Sequence, residues 1–165
     1  MSFNRSLFST ERTNWKTPKA LLDELDKEFN FDFDPCPSDN ANFNGLEIEW
    51  KERNYINPPY GRVIGLWIEK AYRESLKGKI CVMLLPSRTD TKWFHDIIMP
   101  YANEIRFLRG RLKFDDQKNS APFPSMIVVF GAKKKCEECM NFLQNNGCIL
   151  LTNDTPDKCN NFKHK

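Results

Sequence analysis

Six consecutive apolar residues, Ile80-Cys81-Val82-Met83-Leu84-Leu85, constrain the fold of this chain more than any other stretch. An unbroken apolar run of that length is expected of a strand covered on both faces, as in a parallel sheet between layers of helices. Its surroundings agree with that reading. Ile64, Trp67, Ile68, Ala71 and Tyr72 recur at helical spacing just before it, and Gly78 stands ready to stop that helix. Lys92–Met99 reads as a short helix ended by Pro100, and Glu104–Leu108 and Met126–Phe130 as two further strands.

The rest of the chain continues the alternation. Thr17-Pro18 offers a capping hydroxyl and a proline at the first helical position. Leu21, Leu22, Leu25 and Phe29 would then line one helix face, and Phe29, Phe31 and Phe33 alternate into a strand running to Asp34. Short strands are expected near Leu46–Trp50 and Asn54–Ile56, a last helix over Lys134–Asn145, and an edge strand at Cys148–Leu151. Strands and helices in turn indicate an α/β sandwich with a mostly parallel sheet. Residues 1–14 are polar and read as a loose leader to a single domain over 15–165. Ligands in such sheets bind at the carboxyl ends of the strands. Asp34-Pro35, Asn57-Pro58 and Pro86-Ser87 all fall at that edge.

One corner there carries distinctive chemistry. Asn57-Pro58-Pro59-Tyr60 follows the apolar pair Tyr55-Ile56 and precedes Gly61. Two prolines remove two N–H donors and keep the residues before them out of the helical region. The result is a rigid, extended corner presenting an amide, bare carbonyls and an aromatic ring. Such a corner suits a planar heterocycle with an exocyclic amine. The amide oxygen and a proline carbonyl can accept its two N–H bonds, and the ring can stack on its face.

Asn57–Tyr60 resembles the catalytic motif of amino-methyltransferases that use S-adenosylmethionine, especially the DNA adenine-N6 enzymes. Trp15-Lys16-Thr17-Pro18 resembles the Thr-Pro segment before their first helix. Asp34-Pro35-Cys36-Pro37 resembles a degenerate form of their Asp-Pro cofactor motif. Gly61 and Trp67 lie behind the corner, and Gly110-Arg111-Leu112 precedes Ala121-Pro122-Phe123. That order is most similar to the phage-type, Dam-like DNA N6-adenine methyltransferases, over about Trp15 to Phe130.

The resemblance implies a compact Rossmann-like class I methyltransferase sandwich, mostly parallel, with an antiparallel strand near the C-terminal end. It implies that Asn57, Pro58, Pro59 and Tyr60 form the catalytic corner. Asn57 and the Pro58 carbonyl would hold the target amine, and Tyr60 would stack on a base flipped out of the helix. Trp15, Thr17, Pro18, Asp34, Pro35 and Cys36 would contact S-adenosylmethionine, the methyl donor, and no metal is implied. The segment from Pro35 to Asn44 lacks the glycines of related cofactor loops, Gly45 being the first. The acidic partner of the ribose is left between Asp39 and Glu47. The same corner would suit an amine in RNA or a protein glutamine, and the odd cofactor loop would suit a non-catalytic DNA-binding relic.

The resemblance implies DNA as partner, and the uneven charge is in keeping with a polyanion meeting the C-terminal portion. Residues 1–60 hold seven Lys/Arg against eleven Asp/Glu, whereas residues 61–165 hold eighteen against eleven. Arg88, beyond the buried strand, and Arg109, Arg111 and Lys113, in the long segment from Arg109 to Ser125, are the candidate phosphate contacts. Lys133-Lys134-Lys135 reads as an exposed helix entry. Cys36 and Cys81 read as small buried hydrophobes. Cys136, Cys139, Cys148 and Cys159, with His164, match no standard zinc spacing. No run approaches membrane-spanning length and no signal peptide is evident, so the expected location is the cytoplasm.

Overall fold

The computed structural model describes residues 15–37, 42–115, 117–131 and 149–151. They form two helices, a short helical segment and a five-stranded sheet. In chain order these are α1 (Lys19–Phe29), β1 (Arg53–Ile56), α2 (Ile64–Ser75) and β2 (Ile80–Pro86). A π-helical turn (Phe94–Ile98) runs into α3 (Met99–Tyr101), and β3 (Glu104–Phe107), β4 (Ser125–Phe130) and β5 (Ile149–Leu151) follow. The sheet order is β1-β2-β4-β3-β5. The expected loose segment 1–14, the helix at Lys134–Asn145 and the Lys133–Lys135 run lie outside the described residues.

The sheet is mixed, not mostly parallel. Among the described residues β1 and β2 are the one parallel strand pair, in register Ile56↔Met83; β4 is antiparallel to β2 and β3, and β5 to β3. The expected antiparallel strand therefore sits in the middle of the sheet. A continuous apolar run such as Met126–Phe130, buried throughout, reports burial on both faces but carries no information about direction.

Residue parity places helices on both faces. Arg106 pairs with Ile127 and meets α1 through Glu28 at 2.5 and 2.7 Å. Phe130, three residues beyond Ile127, points to the other face and meets Tyr72 of α2 at 6.1 Å between ring centroids. Between the layers lie Val82–Leu85 and Met126–Phe130, all fully buried.

Two ionic clusters fasten the layers. Arg106 bridges Glu28 and Glu104 and lies over the Phe29 ring at 5.5 Å. Lys79, ahead of β2, holds buried Glu74 at 2.7 Å and Glu49 at 3.1 Å. Burial alone would raise the Glu74 carboxyl, but the hydrogen bonds and charges of Lys79 and Lys77 outweigh it and hold it at about 2. Each partner keeps the other from being a lone buried charge.

Several local expectations change. Pro18 is the N-cap of α1 rather than its first residue, and Thr17 does not cap it. Asn30, at φ 50, closes α1, and Asp26 accepts the backbone N–H groups of Asn30 and Phe31. Phe31–Asp34 makes only a single parallel bridge, Phe33↔Asn54, beside β1. Leu46–Trp50 forms turns instead of a strand. Asn44 accepts the Leu46 N–H on its own side chain, the local competition by which Asn diverts backbone from a ladder. α2 ends at Ser75, before Gly78, whose φ of 90 serves the turn into β2. Pro100 does not stop its helix, which continues through Tyr101.

Candidate functional site

The carboxyl ends of β1, β2 and β3 and the start of β4 lie at one edge of the sheet. Pro86 pairs with Ser125, and Phe107 and Leu85 both face Met126. Asn57–Tyr60, Ser87-Arg88 and Arg109–Lys113 therefore leave the sheet on the same side. Asp34 joins them because Phe33 bridges Asn54 in parallel.

At the corner, Asn57 is held by the segment before α1. Its Nδ2 donates to the Trp15 carbonyl and, at 3.0 Å, to Thr17 Oγ1. A carbonyl oxygen can only accept, so nitrogen must be the atom facing Trp15. That fixes where the amide oxygen points. Asn57 Oδ1 is buried and has no hydrogen-bond partner among the described residues. Thr17 Oγ1 also bonds the Tyr55 hydroxyl at 2.8 Å. Trp15, Thr17, Tyr55 and Asn57 are thereby one connected network.

A cavity of about 110 Å³ opens beside this network, lined by Trp15, Thr17, Asp34, Cys36, Tyr55 and Asn57 among others. Small-molecule sites usually start near 300 Å³, so this cavity is smaller than a typical whole-ligand site. Burial raises the Asp34 carboxyl to about 6, only partly offset by the 2.8 Å hydrogen bond from the Cys36 N–H. Burial, aided by the Asp34 charge, pushes the Cys36 thiol up to about 12. The thiol is therefore a poor nucleophile near neutral pH. Gly45 supports the same wall by close approach: a Cβ there would stand 1.9 Å from the Pro35 carbonyl oxygen. Of the two candidates for a ribose partner, Glu47 is exposed and bonds Asn44 at 2.7 Å; Asp39 lies outside the described residues.

Tyr60 occupies a different setting from the open platform expected of it. It is 5% exposed, and its hydroxyl donates to the Leu84 carbonyl at 3.3 Å. Burial pushes that hydroxyl's pKa well above the usual tyrosine range. Phe123 meets its ring edge-on at 5.5 Å and Phe114 at 6.5 Å. Phe114 is fully buried and also packs on Trp15 at 5.0 Å. The long basic segment is thus not merely a solvated loop: Phe114 plugs it into the aromatic cluster, and Ala121 closes it with a hydrogen bond to Leu112. Arg109, Arg111 and Lys113 remain exposed on that segment, as does Arg88 beyond β2.

Pro58 and Pro35 are buried, and Pro18 and Pro59 half-buried, around these groups. Sequence reasoning did not single out Tyr55 or Asp115. Tyr55 looked like an ordinary strand aromatic. Asp115 carried a usable signal as the first acidic residue in an otherwise basic segment. Among the described residues no group of three or more His, Cys, Asp and Glu is placed to hold a metal ion. Cys136, Cys139, Cys148, Cys159 and His164 lie outside them. No described helix is long and apolar enough to cross a membrane.

A family model described as DNA N-6-adenine-methyltransferase (Dam) matches residues 5–151. No curated protein and no solved structure matches the chain.

Proposed function

The chain belongs to the DNA N-6-adenine-methyltransferase (Dam) family, and from that premise we propose that it methylates the exocyclic N6 of adenine in DNA with S-adenosylmethionine as donor. One observation carries the reading. The Asn57 amide is pinned through its nitrogen to Trp15 and Thr17, and its oxygen is left without a partner at the strand edge. An acceptor so fixed suits one N–H of a planar amine, and the Pro58 carbonyl suits the other. Accepting hydrogen bonds from both N–H groups turns the nitrogen lone pair out of conjugation with the ring.

The residues present fit the donor. Asp34 offers a half-buried carboxylate in a cavity that shares Trp15, Thr17 and Asn57 with the acceptor corner, and it would hold the ammonium group of the donor. Trp15, Thr17, Pro18, Pro35 and Cys36 would form the surrounding wall. When bound, S-adenosylmethionine supplies a methyl group on a cationic sulfur. Asn57 and the Pro58 carbonyl would aim the adenine nitrogen at that methyl, so that an N–C bond would replace the S–C bond and one N–H proton would leave to solvent. Asn57 keeps the nitrogen aimed throughout, and no side chain forms a covalent bond to the base. Tyr60 stacks on the flipped adenine once half-buried Phe123 gives way, while Arg88, Arg109, Arg111 and Lys113 hold phosphates.

Transfer of labelled methyl to DNA, RNA and protein acceptors, offered in parallel, tests this. Label recovered as N6-methyladenine in DNA is the expected result. Label confined to RNA or protein would reassign the substrate. No transfer to any acceptor, with no donor binding by calorimetry, would leave a DNA-binding relic.

The Asp34 environment gives a pH prediction. Its folded-state value, about 6, lies above the ordinary 3.8. In the ligand-free protein the resulting stabilisation is therefore complete below about 3.8 and lost as pH rises through about 6. A bound cation favours the ionised carboxylate, so donor affinity should rise between pH 5 and 7, by up to about tenfold per unit below pH 6. Calorimetric titrations should show that slope in the wild type and a flat profile in Asp34→Asn. An equal slope in both would remove Asp34 from the donor site.

A further inference from the structure

Asp115 stands on the segment that carries Arg109, Arg111, Lys113 and Lys118, yet its hydrogen bonds reach the other side of the site. Its Oδ2 accepts the backbone N–H of Lys19 at 2.8 Å, and its own N–H donates to the Lys16 carbonyl at 3.1 Å. These bonds grip both ends of the Lys16–Lys19 turn. Helix α1 has no cap of its own, since Pro18 has no hydrogen-bonding side chain, and Asp115 supplies one from 96 residues away in sequence. Within or beside the gripped turn lie Thr17 and Trp15, the residues that accept both N–H bonds of Asn57. Phe114 adds a third hold by packing on Trp15.

We propose that Asp115 is a positioning residue. It clamps the Trp15–Lys19 turn so that the Asn57 amide oxygen stays aimed, and so ties the basic segment mechanically to the acceptor corner. Its rate consequence rests on the methyl-transfer reading; its geometric content does not. A segment pulled by DNA phosphates at Arg111 or Lys113 would act on the Asn57 amide through the Asp115 side chain and backbone N–H and the adjoining Phe114.

The test compares Asp115→Ala with Asp115→Asn. The first readout is the side-chain amide NMR signal of Asn57, assigned by its loss in Asn57→Ala. Asp115→Ala should speed exchange of those amide protons about tenfold or more. It should also lower kcat about tenfold or more, as a small misplacement of a reacting group does, at temperatures well below its melting point. Asp115→Asn keeps an oxygen able to accept the Lys19 N–H and should restore most of both. If alanine does not fold, Asp115→Glu displaces the acceptor by one methylene and should give an intermediate result. An Asn57 signal and kcat unchanged in Asp115→Ala, with only the melting temperature lowered, would overturn the proposal. Asparagine as damaging as alanine would overturn it too, by making charge rather than the cap responsible. Absence of transfer by the wild type would defeat the methyl-transfer reading alone, and the NMR comparison would still decide the clamp.

Discussion

Asn57→Ala is expected to lower kcat for methyl transfer by about 10²–10³-fold, the usual loss when one preorganised polar group is removed from a reacting centre. Its effect on stability should be near 1 kcal/mol, the scale of an ordinary lost hydrogen bond. Asn57→Asp is the more discriminating variant. If Asn57 needed only to accept a hydrogen bond, a carboxylate would serve as well or better. The observed geometry predicts otherwise, because Nδ2 faces the Trp15 carbonyl. Aspartate puts two oxygens against each other there, and only Thr17 can turn its hydroxyl to help. We expect Asn57→Asp to lose about tenfold or more in kcat, with donor affinity by calorimetry changed far less. Wild-type turnover in Asn57→Asp would show that the Trp15 contact does not aim the amide.

The sheet was legible where burial is two-sided. Ile80–Leu85 announced β2 because no solvent-facing position interrupts it, and all but Ile80 of that run are fully buried. Direction was not legible. Apolarity reports what covers a strand, and an antiparallel strand between two layers of helices is as apolar as a parallel one. The alternation Phe29-Phe31-Phe33 misled for a related reason. Phe29 stacks on Phe31, Phe31 tilts against Tyr55 and Phe33 stacks on Phe43, while the backbone gains only the Phe33 bridge.

The acceptor corner was readable because its residues are adjacent in sequence and Pro-Pro allows few backbone shapes. What holds Asn57 in place was not readable. Trp15 and Thr17 lie 42 and 40 residues upstream, and no local rule links a helix-entry threonine to a strand-end asparagine. Thr17 looked like a cap because Ser and Thr before a helix usually are caps. Here its hydroxyl serves Tyr55 and Asn57 instead, and the capping task passes to Asp115. Charge in the 109–125 segment suggested phosphate contacts, and its Arg and Lys side chains are exposed as that role requires. Phe114 was the informative exception: one ring among charges, buried without remainder.

Phe114 should therefore behave as a core residue despite its polar neighbours. Phe114→Ala is expected to cost about 3–5 kcal/mol in denaturant unfolding, the range for a fully buried phenylalanine. A side chain on a solvated loop would change stability by roughly 0.5 kcal/mol or less. Phe114→Leu refills most of the volume and should recover all but about 1.5 kcal/mol. The ring meets Trp15, Tyr60 and Phe123, so its loss loosens the cluster that covers Tyr60 as well as the loop that bears Arg111 and Lys113. Hydrogen exchange distinguishes two ways of losing it. If the segment is part of the cooperative fold, the alanine variant should unfold globally at lower denaturant, with the Ala121 and Asp115 amides exchanging alongside those of β4. If it opens as a separate unit, those two amides should exchange faster while β4 keeps its protection and the unfolding midpoint does not move. The first outcome is expected, because Phe114 is buried against residues from both the corner after β1 and the turn before α1, and neither can retain its packing once the ring is gone.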